Sequence, residues 1–371
     1  METDFNRFGY ELVKMARFDR SMLAVAMPVF TCRVKKEAFF EKKYKMVVAC
    51  QSGVSQKSIG VMKSCIHIVT GPTAVGKTAL CLEAARELQA EVISCDSMQL
   101  YRGMDIGTAK ATEEELAVVP HHCLDVFDVR EPGNVQKYVE HAQASVADIL
   151  GRGKKVLVTG GSGFYLKSFL EPVCDEVKVP DGIRGEVEQM YAEGGLKAMV
   201  ERLLELNPEG VGEMDLQNPR RVIRALERCL ASGMSVLGLR QKMEDLPAPY
   251  PELEKRVCVL IRGDDVLKDR IAQRCAAMLA GGLVEEVEGL VVAGLRENPV
   301  ASAAIGYREV LAYLDGEIAS RGKLEEILNR NTWQLVRKQK KWFRTQLPSA
   351  RLVDLDQCPE PSVRELFGEE V

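Results

Sequence analysis

The sequence predicts an α/β protein: a parallel sheet core, a helical insertion domain inside it, and a helical C-terminal region. Three observations carry this. Between residues 65 and 160, short apolar runs of strand length alternate with helical patterns, as in a parallel sheet with right-handed crossovers. From 181 to about 245 the texture turns helical and highly charged, with no good strand. After Pro247, Pro249 and Pro251 a strand pattern returns, and only then does a long run of helices follow.

Taken in order, residues 1–61 are read as a poorly ordered N-terminal extension. They open on Glu2 and Asp4, then place Arg/Lys clusters around a short apolar patch at 22–30. The patch has the length of a signal h-region but starts late and lacks a small-residue cleavage site. Met62 stands just before the first convincing strand, so the functional chain could begin there. Residues 62–177 form the first part of the core: a buried strand at 65–69, a glycine loop, an Ala/Leu-rich helix at 78–85, and a second strand at 91–95. A helix at 134–151, closed by Gly151 and Gly153, leads to a strand at 155–159. Residues 178–252 are the helical insertion. Residues 253–371 complete the core with a strand at 256–261, then give helices at 264–280, 283–293, 306–320 and 323–345, and a last short strand at 351–354.

Composition excludes some classes. The net charge is only −4, so a nucleic-acid footprint must be local. No apolar run approaches the ~20 residues of a membrane helix. Eleven cysteines without a CxxC pair suit neither a disulfide framework nor a zinc site, and fit a reducing cytosol. Adjacent strand residues point to opposite faces, so His121-His122-Cys123 makes a poor chelate. A cytoplasmic monomer without membrane contact is expected.

The stretch VTGPTAVGKTAL at 69–80 contains G-x-x-x-x-G-K-S/T with a strand before it and a helix after it. That context separates a P-loop from a chance glycine turn, and makes the core P-loop NTPase-like. Gly71, Pro72, Thr73, Ala74, Val75, Gly76, Lys77 and Thr78 are the predicted diphosphate cradle. Its glycines let backbone N–H groups point inward, the helix N-terminus adds partial positive charge, and Lys77 adds a point charge. Thr78 places a hydroxyl on Mg²⁺. Three reactions compete: a small-molecule or nucleotide kinase, an NTP-driven mechanical or RNA-associated ATPase, and a transferase that releases diphosphate. Asp96 ends the second strand and so faces the same crevice, where a carboxylate holds Mg²⁺ or takes a proton. A helix N-cap is its plainer role. The strand at 155–159 ends without an acid, and neither NKxD nor an arginine-rich lid is present, which weakens the first two reactions. That strand opens instead into GGSGFY at 160–165, whose small residues leave room for a bulky group. Ser162 could hydrogen-bond it, and Phe164 or Tyr165 could stack on it.

GPTAVGKTAL, DSMQLYRGMDIGTAK, GGSGFYLKSFL, NPRRVIRALE, AAIGYREVLAYL and TWQLVRKQKKWFR occur in that order. Together they resemble the tRNA dimethylallyltransferase family over about residues 62–355. The resemblance implies transfer of a dimethylallyl group from its diphosphate to the exocyclic amine of the adenosine 3′ to the anticodon. Transfer to a free adenylate is the runner-up. The resemblance further implies Asp96 as the base, with Lys77 and Arg274 also catalytic. Arg270, Arg274 and Ser162 join the diphosphate site. Its tRNA-contacting positions are Asp96, Ser97, Met98, Gln99, Ser162, Arg184, Arg220, Arg221, Arg224, Gly306, Tyr307, Arg308, Arg337, Lys338, Gln339 and Arg344. Three departures stand out: Ser162 where the family usually has Thr, Arg337-Lys338-Gln339 where it commonly has Lys-Arg-Gln, and Ala303 where many members carry Arg.

Two basic regions suit an RNA partner, here the anticodon stem-loop. Arg221, Arg224 and Arg228 share one helical stripe. Residues 329–344 hold six basic side chains and no acid. There Leu328, Leu335 and Trp342 recur every seven residues, as do Arg330, Arg337 and Arg344, so an apolar and a basic stripe face apart.

Overall fold

In the computed structural model, residues 65–368 are described; the expectation for residues 1–61 lies outside them. Six strands form one parallel sheet: β1 (Cys65–Thr70), β2 (Ala90–Ser94), β3 (His121–His122), β4 (Lys155–Gly160), β5 (Glu254–Ile261) and β6 (Arg351–Asp354). Their order is β3-β2-β4-β1-β5-β6. β1 lies between β4 and β5, pairing Thr70 with Gly160 on one side and Val259 on the other. Strand order therefore reverses direction at β1, and the loop beyond its C-terminal end opens at the crevice where α/β sheets bind ligands.

The strands are short apolar runs because the sheet is covered on both faces; every residue from Ile66 to Thr70 is buried. The core crossovers are α1 (Lys77–Leu88), α2 (Glu113–Val118), α3 (Val135–Gly151) and α4 (Gly163–Lys167). Between β4 and β5 lie α5 (Asp181–Glu205), α6 (Pro219–Ser232) and α7 (Val236–Glu244), packed around a separate apolar cluster that includes Val187, Leu203 and Leu226. In α6 the start is set by Asn218, whose side chain accepts from Arg221 N, with Pro219 in the first turn. The C-terminal part adds α8 (Asp264–Ala280), α9 (Leu283–Val292), α10 (Tyr307–Leu314), α11 (Arg321–Gln346) and α12 (Val363–Phe367).

Where the structure differs from expectation, the reasons are local. The helix expected at 306–320 stops at Leu314, because Gly316 takes a left-handed φ of 79° and turns the chain. α2 is too short for an apolar period, but Thr112 and Glu115 close a capping box around its start. β3 has only two residues and exists through pairing with Val92 and Ile93. Its two histidines are engaged by the protein: His121 Nδ1 lies 2.8 Å from Val119 O, and His122 Nε2 lies 2.7 Å from Glu91.

One glycine fixes how the strand ends meet. A methyl on Gly160 would stand 2.0 Å from Cys95 O. Gly160→Ala must therefore push β2 and β4 apart beside the crevice. It is expected to cost about 1–3 kcal/mol of stability, read as a lower denaturant midpoint. An unchanged midpoint would contradict the close approach.

Candidate active site

The loop from Gly71 to Thr78 is held by cations on its carbonyls. Arg262 Nε donates to Val75 O at 2.9 Å and Arg270 Nε donates to Ala74 O at 2.7 Å. Lys77 Nζ donates to Gly71 O and Pro72 O, both at 2.9 Å. Gly76 enters α1 at a φ of 112°, which a side chain would strain. Arg262 is pinned in turn, donating to Leu355 O at 3.0 Å and Asp356 Oδ1 at 2.9 Å beyond β6.

A crosspiece joins this loop to the turn after β4. Gln339 on α11 accepts from Thr73 N at 2.9 Å and donates to Gly161 O at 3.1 Å. A single primary amide thus satisfies a donor on one loop and an acceptor on the other.

Two cavities meet here. The first, about 550 Å³, is lined by Thr73, Ala74, Gly76, Lys77 and Thr78, with Arg270 and Arg274 opposite. The second, about 590 Å³, has walls from Met278, Leu283, Leu328, Leu335 and Trp342. Thr73, Asp96, Thr108, Gly161 and Arg274 line both, so the carboxylate and the guanidinium stand at the junction. Burial holds the Arg274 guanidinium below its ordinary pKa, and the charge of Asp96 opposes that shift. Lys77 is lowered to about 8, chiefly by burial and then by Arg274, with Asp96 pulling the other way.

Residues 96–110 form the lip of the junction and are held from several sides. Asp96 Oδ1 accepts from Met98 N at 2.9 Å, a turn contact that leaves the other carboxylate oxygen to the cavities. Ser162 Oγ accepts from Ser97 N at 3.0 Å. Gln99 accepts from Ser94 Oγ at 2.7 Å and donates to Ala109 O at 3.2 Å. Glu286 on α9 accepts from the backbone N–H of Asp105, Ile106 and Gly107 at 3.1, 2.6 and 3.2 Å, and from the Tyr307 hydroxyl at 2.7 Å. Lys110, nearly buried, reaches Tyr101 O, Asp105 and Asp125.

The predicted residues divide accordingly. Thr73, Ala74, Gly76, Lys77, Thr78, Asp96, Gln99, Arg270 and Arg274 share the first cavity. Ser97, Met98, Ser162, Arg220, Gly306, Lys338 and Gln339 belong to the second; Ser162 therefore lines the apolar cavity and not the cation-lined one. Gly71 and Val75 shape the loop from beneath without lining either cavity, and Pro72 lines a third cavity with Arg337 and Arg344. Arg184, Arg221, Arg224 and Arg308 are exposed outside the three cavities. Tyr307 is fully buried with its hydroxyl spent on Glu286, so its side chain supports the lip from within. The basic stripe of α6 is partly consumed: Arg228 pairs with buried Asp175 and Arg224 with buried Glu227 at 2.7 Å.

Sequence reasoning missed Arg262, Glu286 and Lys110, whose partners, apart from Asp105 beside Lys110, are remote in sequence or are backbone atoms and leave no local signature. It named Gln339 as an RNA contact and missed the crosspiece.

A family model described as IPP transferase matches residues 99–346. A tRNA dimethylallyltransferase of Opitutus terrae is 51% identical over 289 residues, covering 78% of this chain and 92% of that protein. One from an Exiguobacterium species is 38% identical over 285 residues, covering 76% and 88%. Among solved structures, the tRNA isopentenylpyrophosphate transferase of Bacillus halodurans aligns with a TM-score of 0.56 at 32% identity, covering 79% of this chain and 90% of that one. A eukaryotic dimethylallyltransferase acting on tRNA shares the fold, with a TM-score of 0.65 at 22% identity over 78% and 74% of the two chains.

Proposed function

The chain belongs to the IPP transferase family of tRNA dimethylallyltransferases, and on that premise we propose how its two cavities divide the reaction. The enzyme transfers a dimethylallyl group to tRNA. The donor is dimethylallyl diphosphate and the acceptor is the exocyclic amine of the adenosine 3′ to the anticodon. The observation that carries the division is the meeting of a cation-lined cavity and an apolar one at Asp96 and Arg274.

The diphosphate rests in the first cavity against Lys77, the loop amides, Arg270 and Arg274. As the allylic C–O bond breaks, its electron pair leaves with the diphosphate, and these groups meet the growing negative charge. The target base is extruded from its loop into the second cavity. Its amine attacks the allylic carbon across the junction, and Asp96 takes the amine proton as the N–C bond forms. An adenine amine is a weak nucleophile, so placement in a site shielded from water supplies much of the acceleration.

The cleft also suits a magnesium ion. The Thr78 hydroxyl, exposed at the start of α1, and the Asp96 carboxylate line one cavity, and Mg²⁺ takes one or two protein oxygens beside phosphate oxygens. When bound there it would add positive charge to the leaving diphosphate. Among the described residues no helix is long and apolar enough to cross a membrane.

Arg220 and Lys338 stand at the second cavity and Arg337 and Arg344 at the third, so the RNA loop approaches across the exposed face of α11. Arg184, Arg221, Arg224 and Arg308 are outer phosphate contacts on this reading, and Ser97, Met98 and Gly306 line the path of the base. The test is a parallel assay. Labelled dimethylallyl diphosphate is offered with unmodified tRNA, with AMP, or replaced by ATP and small acceptors. Label is expected on tRNA alone; efficient labelling of AMP would overturn the RNA acceptor.

Lys77 gives the donor step a pH signature. The ammonium titrates near pH 8 in the free cleft, and a diphosphate beside it raises that value. Binding then takes up a proton above pH 8. Donor affinity should hold below that point and fall by about tenfold per pH unit above it, until the pKa of the bound state is reached. The KM for dimethylallyl diphosphate between pH 7 and 10 reads this; a flat profile would remove Lys77 from the phosphate contact.

A further inference from the structure

We propose that the third cavity is a second RNA subsite, which takes one unstacked base of the same loop while its phosphates lie on the rim. The proposal rests on the reading above that the acceptor is an RNA loop. The cavity, about 450 Å³, lies on the other side of the P-loop, against Pro72, the end of β5 and the last turns of α11.

Among the described residues its floor is apolar and uncovered. Leu352 is 64% exposed on the edge strand β6, whereas Val353, pointing the other way, is 7% exposed and packed. Ile261 and Leu347 continue the floor. Among the described residues its rim is cationic and compensated at one position only. Asp264 is the one acid among the lining residues and is already paired with Lys340 at 2.5 Å. Among the described residues, Arg337, Lys341 and Arg344 have no carboxylate partner. An apolar face bordered by three uncompensated cations matches a nucleotide, which offers a flat base and a charged phosphate.

Continuity favours RNA over another anion. α11 walls both cavities: Lys338, Gln339 and Trp342 face the second, and Arg337, Lys341 and Arg344 face the third. The P-loop does the same, with Thr73 on one side and Pro72 on the other. A strand that sends its target base to Asp96 therefore crosses α11 with a neighbouring nucleotide beside this floor. Loop bases are free to splay into such a pocket.

The experiment uses the full chain and an unmodified anticodon stem-loop RNA. Leu352→Glu puts a negative charge on the floor without touching the crosspiece or the cradle. It should raise the RNA Kd about tenfold, with the KM for dimethylallyl diphosphate and the turnover at saturating RNA kept within about twofold. Leu352→Ala should show the same pattern more weakly, and both variants should keep the parent melting temperature. Stem-loops with one abasic nucleotide at a time identify the occupant. One abasic position other than the target should weaken binding to the parent protein but carry no penalty in Leu352→Glu. If Leu352→Glu binds RNA like the parent, or every abasic penalty persists in it, the subsite is wrong. If Leu352→Glu instead changes the oligomeric state, the floor is a protein interface and the proposal falls. Should the parent protein label no RNA, the acceptor reading fails as well; normal labelling with an unaffected Leu352→Glu sinks the subsite alone.

Discussion

Asp96→Asn is expected to lower turnover by about 10²–10⁴-fold while RNA affinity stays within a few-fold. The substitution keeps the size of the side chain and one oxygen for the Met98 N–H at 2.9 Å, so residues 96–110 should hold their turn. The anchors from Ser162, Gln99 and Glu286 do not involve the carboxylate at all. What disappears is the proton acceptor, and with it the negative charge that faces Lys77 and Arg274. Single-turnover transfer to pre-bound RNA isolates the chemical step from binding. A near-normal single-turnover rate would assign Asp96 to the turn and require another base.

Lys77→Met is expected to cost about 10²–10³-fold in kcat/KM for the donor, with little change in melting temperature. Two effects add. The cavity loses a cation that would face the departing diphosphate. In addition, Gly71 O and Pro72 O, each now satisfied at 2.9 Å by the ammonium, are left as bare acceptors beside an anion. Methionine keeps an apolar stem of similar length, so α1 should start where it does. RNA binding should be unchanged, because the side chain lines the first cavity and not the second. Donor affinity and turnover equal to the parent would mean that the loop does not hold the diphosphate.

The sheet was legible because its strands are covered on both faces and therefore read as continuous apolar runs between glycines. β1, β4 and the end of β5 fall within one or two residues of expectation. The cradle and Asp96 were legible for a related reason. A loop that must turn tightly onto a helix needs particular residues at fixed spacing, and Asp96, expected at the end of β2 and found two residues past Ser94, still faces the crevice beyond the strand ends. What stayed hidden depends on partners far away in the chain. Glu286 is one acid among many until Asp105, Ile106, Gly107 and Tyr307 are seen around it. The apolar cavity draws on α8, α9, α11, residues 300–306 and the turn after β4, so no single segment carries its pattern. Arg228 shows the opposite failure: helical spacing put it on a basic stripe, but Asp175, 53 residues earlier, claims it.

The tie from Arg262 to Leu355 and Asp356 bears on how the protein comes off the ribosome. The Gly71–Thr78 segment is synthesised well before the residues that hold it: its Val75 carbonyl is fastened through Arg262, which is itself pinned by Leu355 and Asp356. Gln339, needed at Thr73, also emerges late. A nascent chain that has assembled β1, β2 and β4 thus carries a loop whose ties at Thr73 and Val75 are still open, and they close only once residues 339–356 have emerged.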